Sequence, residues 1–372
     1  MKKIAWMIVA AALFVGCKGK GVQQAQGDGE ADSTAAITVK YATGFSVKDS
    51  AGVRLVNIGE KYHFALMKSD ADAPEGYTRI QVPITRTICM TALQLSNFTA
   101  LDAHDVVKGI TGTKNLYNQD ILQRVKEGKI VKIGMEGNFD TEIVLAANPQ
   151  IILISPSKRG GYDAIKETGI TLIPHLGYKE LTPLGQAEWI RFVGMFIGKE
   201  HEADSIFAGI ESRYNTLKEK VSQCMSNSED SLPTVFSGEM HGGNWYAVGG
   251  KNSLAQIFRD AGAQYVFDND DTGGVNIEFE QMYAAAANAD YWRILNSFEG
   301  DFSYDALKSS EPRNELFRAF KEKKVIYCNM KRTPYYEKSP VMPDVLLSDL
   351  VAIFHPELMP ADYAPTFYRK LK

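Results

Sequence analysis

Apolar residues recur along one stretch of the chain at Ala203, Ile206, Phe207, Ile210, Tyr214, Leu217 and Val221. This i, i+3, i+4, i+7 series marks one face of a helix. The opposite face is charged, with Glu200, Glu202, Asp204, Glu211, Arg213, Lys218, Glu219 and Lys220. Only Gly209 interrupts the run before Pro233, so the spacing predicts a continuous helix over Glu200 to Met225. At 1.5 Å per residue it would be roughly 40 Å long, comparable with the diameter of a small domain. Such a helix can join two lobes as a spine, or cross over within one large α/β domain.

Strand and helix patterns alternate on both sides of this segment. Ile37 to Lys68 alternates apolar and polar residues about a Ser50-Ala51-Gly52 turn, which predicts a β-meander. Arg79 to Cys89 reads as a strand interrupted once by Pro83, and a helix is predicted over Thr91 to Leu101. Strands at Val106 to Ile110, Ile130 to Gly134 and Gln150 to Ile154 then alternate with helices at Asp120 to Glu127 and from Asn138. Beyond the long helix, strands are predicted at Pro233 to Ser237, Gln264 to Phe267, Tyr291 to Leu295 and Val325 to Cys328. Helices are predicted there at Leu254 to Ala261, from Asn276 and at Asp344 to Phe354. Alternation of this kind argues for parallel sheets, whose ligands bind beyond the carboxyl ends of the strands.

The halves echo each other. Asn138-x-x-x-Glu142 and Asn276-x-x-x-Glu280 each open an Ala-rich helix that leads to an apolar strand, and Thr91-Ala92-Leu93-Gln94-Leu95 resembles Ser253-Leu254-Ala255-Gln256-Ile257. The expected fold class is therefore α/β, with two Rossmann-like lobes joined by one long α-helix and a ligand cleft between them.

Composition changes this picture chiefly at the N-terminus. Lys2 and Lys3 precede an apolar run from Ile4 to Val15 that is too short to span a bilayer, and Val15-Gly16-Cys17 makes a small-residue cleavage site. The pattern resembles a lipobox, which predicts lipid on Cys17 and a protein held at the cell envelope by that lipid, facing the periplasm. The expected organisation is a signal peptide over residues 1–16, a flexible tether over 17–36, a first lobe over 37–198, a linker helix over 199–226 and a second lobe over 227–372.

Of the 372 residues, 45% are hydrophobic and the net charge is −4. Those values suit sizeable cores and exclude nucleic acid as a partner, because phosphate contacts need clustered Lys and Arg. Cys89, Cys224 and Cys328 permit at most one disulfide and have no zinc-ligand spacing, so no bound cofactor or structural metal is expected.

Catalytic motifs are missing as well. His241-Gly242-Gly243 lacks an accompanying G-x-S-x-G, and Gly109-Ile110-Thr111-Gly112-Thr113-Lys114 lacks P-loop spacing. No catalytic residue is assigned, and a non-enzymatic binding role is expected, with an exported hydrolase the less favoured alternative. A binder of free zinc or manganese is the other alternative, although the six His are scattered.

In its order of features the chain resembles the class III substrate-binding proteins of ABC importers, which carry ferric siderophores, haem or cobalamin. The resemblance runs from Phe45-Ser46-Val47-Lys48-Asp49-Ser50-Ala51-Gly52 through Val106 to Ile110, Asn138 to Ile154, Pro183 to Ile190 and Trp245 to Ala263. It ends at His355-Pro356-Glu357-Leu358 and Tyr368-Arg369-Lys370-Leu371. It implies capture of an iron complex or cobalamin in the cleft and delivery to a two-fold permease, which would meet a surface glutamate on each lobe. Glu142 and Glu280 occupy those positions, with Glu278 close to the second. For the cleft, Lys114, Tyr117, Arg159, Tyr178, His241, Trp245, Tyr246 and Arg332 are the candidate ligand contacts, with Lys158, Tyr335 and Tyr336 beside them. Cationic groups suit carboxylate or catecholate oxygens, rings stack on flat macrocycles, and His241 is a candidate haem-iron ligand.

Overall fold

The alternation from Ile37 onward folds into a small sheet of three antiparallel strands, β1 (Phe45–Ser50), β2 (Val53–Ile58) and β3 (Tyr62–Met67). A fourth, β4 (Thr78–Gln81), lies parallel to β3. The computed structural model describes residues 37–372 apart from 51, 115, 136, 157–160 and 228–230. The expected signal peptide, the tether and Cys17 lie outside the described residues.

The stretch expected as one interrupted strand, Arg79 to Cys89, divides between two sheets. Pro83 has no N–H for a ladder, and past it the chain leaves β4: the Ile84 N–H donates to the Phe196 carbonyl at 2.8 Å. The next strand, β5 (Thr87–Cys89), begins a five-stranded parallel sheet with β6 (Val107–Ile110) and β7 (Val131–Lys132). A short hairpin follows, β8 (Gly134–Met135) and β9 (Asn138–Phe139), and then β10 (Ile151–Ile154) and β11 (Thr171–Pro174) complete the sheet. Its order is β11-β10-β5-β6-β7. All four residues of β10 are buried, as a continuous apolar run in a sheet covered on both faces requires.

The second lobe contains β12 (Thr234–Ser237), β13 (Glu239–His241), β14 (Asn244–Val248), β15 (Gln264–Tyr265) and β16 (Gly274–Ile277). It ends with β17 (Tyr291–Asn296), β18 (Val325–Asn329) and β19 (Arg369–Lys370). Its main sheet runs β15-β12-β17-β18-β19, and β13, β14 and β16 form a separate antiparallel sheet.

Four strands match between the main sheets. In each lobe the first strand, β5 or β12, lies between the second strand, β6 or β15, and the strand that follows the Ala-rich helix, β10 or β17. The lobes differ in the fifth strand: β7 extends the first sheet at one edge, whereas β19 closes the second antiparallel at the other. The repeated Asn residues belong to strands rather than to helix starts. Asn138 lies in β9 and Asn276 in β16, and the helices begin three residues later, at Thr141–Ala146 and Phe279–Ala286.

The long helix spans Glu200–Ser226 and buries Ala203, Phe207, Ile210, Tyr214 and Val221, all on the predicted face. It packs against the Trp189–Ile197 helix on one side and the Pro343–Phe354 helix on the other. One apolar core runs continuously from Leu95 and Phe192 through Phe207 and Tyr214 to Phe258 and Leu347. Each large side chain so buried stabilises the fold by about 1.5–3 kcal/mol. Polar contacts tie the helix further: the Tyr214 hydroxyl donates to Asp260 at 2.6 Å, and Arg213 pairs with Asp344 and Arg191 with Asp204, each at 2.6 Å.

Two buried carboxylates hold the start of the first lobe. Glu188 accepts the N–H groups of Lys40, Tyr41 and Ala42 at 2.9, 2.7 and 2.9 Å. Glu180 accepts those of Thr43 and Gly44, each at 2.9 Å, together with the Trp189 indole N–H at 2.9 Å. The backbone donors of an irregular segment are thereby satisfied without a strand partner.

Candidate functional site

Two adjoining cavities of about 830 and 710 Å³ share Leu93, Tyr178 and Tyr336 in their walls. The smaller one opens at the carboxyl ends of β5, β6 and β10, where Cys89, Met90, Thr111 and Ser155 line it. The larger one draws most of its wall from the second lobe, including Glu239, His241, Tyr246, Arg293, Asn296 and Tyr335. Leu93, Pro183 and Gln186 of the first lobe close it from the opposite side. Both cavities thus occupy the crevice that open parallel sheets reserve for ligands.

The local chain explains how these groups are presented. Thr91 caps the Ala92–Ala100 helix through a reciprocal pair with Gln94, so the chain turns sharply after β5 and Leu93 stands in the crevice. Gly238 follows β12 with φ +100°, and a Cβ there would lie 1.9 Å from the Tyr246 carbonyl oxygen. Only glycine lets the β13–β14 hairpin fold back this closely. That hairpin carries Glu239, His241 and Tyr246 to the cavity.

Arg293 is the most unusual group in the wall. It stands in the middle of β17, 6% exposed, and no carboxylate pairs with it among the described residues. Its Nε donates to the Tyr368 hydroxyl at 2.7 Å, one terminal nitrogen reaches the same oxygen, and Tyr368 donates to the Tyr335 hydroxyl at 3.2 Å. The other terminal nitrogen, Nη1, has no hydrogen-bond partner among the described residues. A buried cation whose only fixed partner is a phenol keeps most of its charge available to a ligand.

Glu239 opens β13 in the same wall as Arg293, and burial pushes its carboxyl above the usual range, against the pull of Asn296 and of the Arg293 charge. Burial also raises the Cys89 thiol, which therefore remains protonated, an apolar lining group rather than a thiolate.

The candidate contacts named from the sequence separate clearly. Lys114, Tyr178, His241 and Tyr246 line the cavities, as do Tyr335 and Tyr336. Trp245 does not: it is fully buried beneath the hairpin, donates its indole N–H to the Ser237 carbonyl at 3.0 Å and packs on Phe236, Trp292 and Phe317. Strand alternation turns it to the core face while its neighbour Tyr246 faces out. Tyr117 is absent from both walls; its backbone N–H instead donates to Glu337 of the other lobe. Arg332 also lies outside both walls, paired with Asp301 at 2.8 Å. Lys158 and Arg159 are outside the described residues. Glu142 and Glu280 are exposed in the first turns of their helices, and Glu280 meets Arg313 at 3.2 Å.

Sequence reasoning missed Arg293, Glu239 and Asn296. A signal was present for Arg293: Trp292-Arg293-Ile294 puts a charge inside a strand of buried type, where an unneutralised cation is costly enough to need a reason.

Residues 90–331 match the sequence profile described as periplasmic binding protein. The chain belongs to the periplasmic binding protein family. An uncharacterized lipoprotein of Methanocaldococcus jannaschii is 29% identical to this binding protein over 299 residues, covering 76% of this chain and 68% of that one. Among solved structures, a periplasmic haem-binding protein from Pseudomonas aeruginosa superposes with a TM-score of 0.60 at 17% identity, covering 77% of this chain and 98% of that one. A protein of an ABC-type Fe3+-hydroxamate transport system from Saccharomonospora viridis gives 0.54 at 16% identity, covering 73% and 94%. At these identities the structural matches establish the two-lobed fold. Among the described residues no helix is long and apolar enough to cross a membrane, and no group of three or more His, Cys, Asp or Glu converges as a metal site.

Proposed function

We propose that this binding protein captures an electron-rich iron chelate, a ferric siderophore or haem, in the cleft and delivers it to the permease of an ABC importer. The observation that carries this reading is Arg293, buried in the cavity wall with no carboxylate partner among the described residues. Tyr335 extends its reach. The Tyr335 hydroxyl accepts from Tyr368, which in turn accepts from Arg293, so the proton on Tyr335 remains free to donate to a ligand oxygen. Tyr178, Tyr246 and Tyr336 supply ring faces, and Met90 and Leu93 apolar surface, for a flat or amphipathic ligand. Lys114 adds a second cation at the smaller cavity, and His241 stands on the hairpin at the larger one.

Docking to the permease is assigned to Glu142 and Glu280, one exposed acid on each lobe, matching the two-fold repetition of a permease dimer. Lipid on Cys17 would hold the protein outside the cytoplasmic membrane, in keeping with the relative named as a lipoprotein. The test is mass spectrometry and a visible absorption spectrum of ligand carried by the purified protein, followed by titration with haem, a ferric trihydroxamate and cobalamin. Binding of haem or the ferric chelate that weakens about 10-fold or more in Arg293→Met supports the proposal, since a hydrogen bond to a charged group contributes about 1.5–3 kcal/mol. Tight binding of cobalamin or of free zinc, with no affinity for either iron complex, refutes it.

A further inference from the structure

The larger cavity holds an acidic side chain, Glu239, that the use of Arg293 toward an electron-rich chelate leaves unexplained. Glu239 and Arg293 line the same wall, yet no ion pair joins them among the described residues. The reason lies in what fixes each one. Arg293 is turned toward Tyr368 by its Nε and one terminal nitrogen. Glu239 is held by Asn296, whose Nδ2 donates to its Oε2 at 3.0 Å, while the Asn296 Oδ1 accepts the Tyr327 hydroxyl at 2.9 Å. With its oxygen taken by a phenol, the Asn296 amide can only present its N–H side to the carboxylate. The Oε1 atom of Glu239 has no partner among the described residues. Backbone register fixes the spacing, because Ser237 stands opposite Arg293 and the Gly238 N–H donates to the Arg293 carbonyl at 3.1 Å.

A cavity built only to attract anions would gain from neutral groups at position 239, since a carboxylate beside the anion site repels the ligand it should bind. An acceptor and a cation held apart in one partly desolvated wall are instead complementary to a ligand that carries acceptor oxygens and a separate cationic group. We infer that the cargo combines two features: electron-rich oxygens that face Arg293 and a protonated amine that faces Oε1 of Glu239. Within the iron-chelate class this selects a chelator that keeps a free primary ammonium group, such as a linear hydroxamate with an amine terminus. The inference rests on the proposed use of this cleft for iron chelates and narrows it.

The test compares two ligands that share an identical iron centre: a linear ferric trihydroxamate ending in a primary ammonium, and its N-acetyl derivative. Affinities are measured by calorimetry with the mature protein at neutral pH, with haem as a third ligand. The wild type is expected to prefer the ammonium form by roughly 10- to 100-fold, the range for one charge-assisted contact. In Glu239→Gln that ratio should collapse toward one. Equal or tighter binding of the acetylated form by the wild type overturns the inference without recourse to any variant. If haem binds and neither hydroxamate does, the iron-complex reading of the cleft survives and the ammonium inference falls. If none of the three binds, both fall.

Discussion

Glu337 ties the two lobes together directly, and removing it has a calculable consequence. The residue belongs to the short helix Tyr335–Lys338 beside the cavity and is 3% exposed. Its carboxylate accepts the N–H of Tyr117 and, at 2.8 Å, the N–H of Asn118, which is the N-cap of the Gln119–Lys126 helix in the first lobe. The negative charge therefore sits at the positive end of a helix on the other side of the cleft. Each hydrogen bond to a charged acceptor contributes about 1.5–3 kcal/mol, so two give roughly 3–6 kcal/mol before water re-solvates the freed groups. Because water can enter the opened cleft, the net cost of Glu337→Ala is taken as about 3 kcal/mol.

The continuous core through the long helix keeps the lobes folded together, so this cost should appear as local opening rather than global unfolding. Native-state hydrogen exchange reads it out: the amides of Tyr117 and Asn118 should exchange about 100-fold faster in the variant, while the buried strand Ile151–Ile154 is unchanged. Equal exchange of the two amides in wild type and variant would refute the latch. So would a matching loss of protection throughout the core, which would mean that Glu337 supports the whole fold rather than the cleft.

Trp245→Ala should lower stability by about 3–5 kcal/mol in denaturant unfolding, the cost of emptying a large core site; an unchanged midpoint with weakened cargo binding would return Trp245 to the cleft. His175, buried against Trp189 and Phe192, has its pKa lowered to about 3 by desolvation, so its stabilising contribution is full above pH 6.5 and is lost as pH falls toward 3, at up to ~1.4 kcal/mol per pH unit. Burial raises Glu239, Glu337 and Asp349, which act oppositely and lose their contribution as pH rises through the carboxylate range; the slope difference between wild type and His175→Gln isolates the histidine, and no difference would refute its neutrality. The double change Glu142→Ala with Glu280→Ala should leave cargo affinity unaltered in calorimetry while uptake in cells falls sharply; normal uptake would reduce both to helix-terminus acids. Cys17→Ala should release the protein from the membrane fraction, and full retention there would contradict the lipid anchor.

Periodicity alone determined the long helix, the parallel strands and the repeated unit, because each is a local pattern of apolar spacing that the chain must bury in one way. Ala203, Phe207, Ile210, Tyr214 and Val221 were legible as one face before any partner was known. The break at Pro83 was visible too, but the transfer of β5 to a different sheet was not, since sheet membership depends on strands distant in sequence. The site divided along the same line. Tyr246 and Trp245 are adjacent and equally aromatic, and only the facing of β14 sends one to the cavity and the other into the core. Tyr117 was named for its ring, whereas its backbone N–H makes the contact across the cleft. Arg293 and Asn296 lie on β17 and Glu239 opens β13, much earlier in the chain, so they acquire meaning together only when the pairing of β12 with β17 brings both segments to one wall. Burial, and the partners that burial leaves a charged group, are properties of the assembled sheet, so the tertiary structure alone decided which charges remain free to meet a ligand.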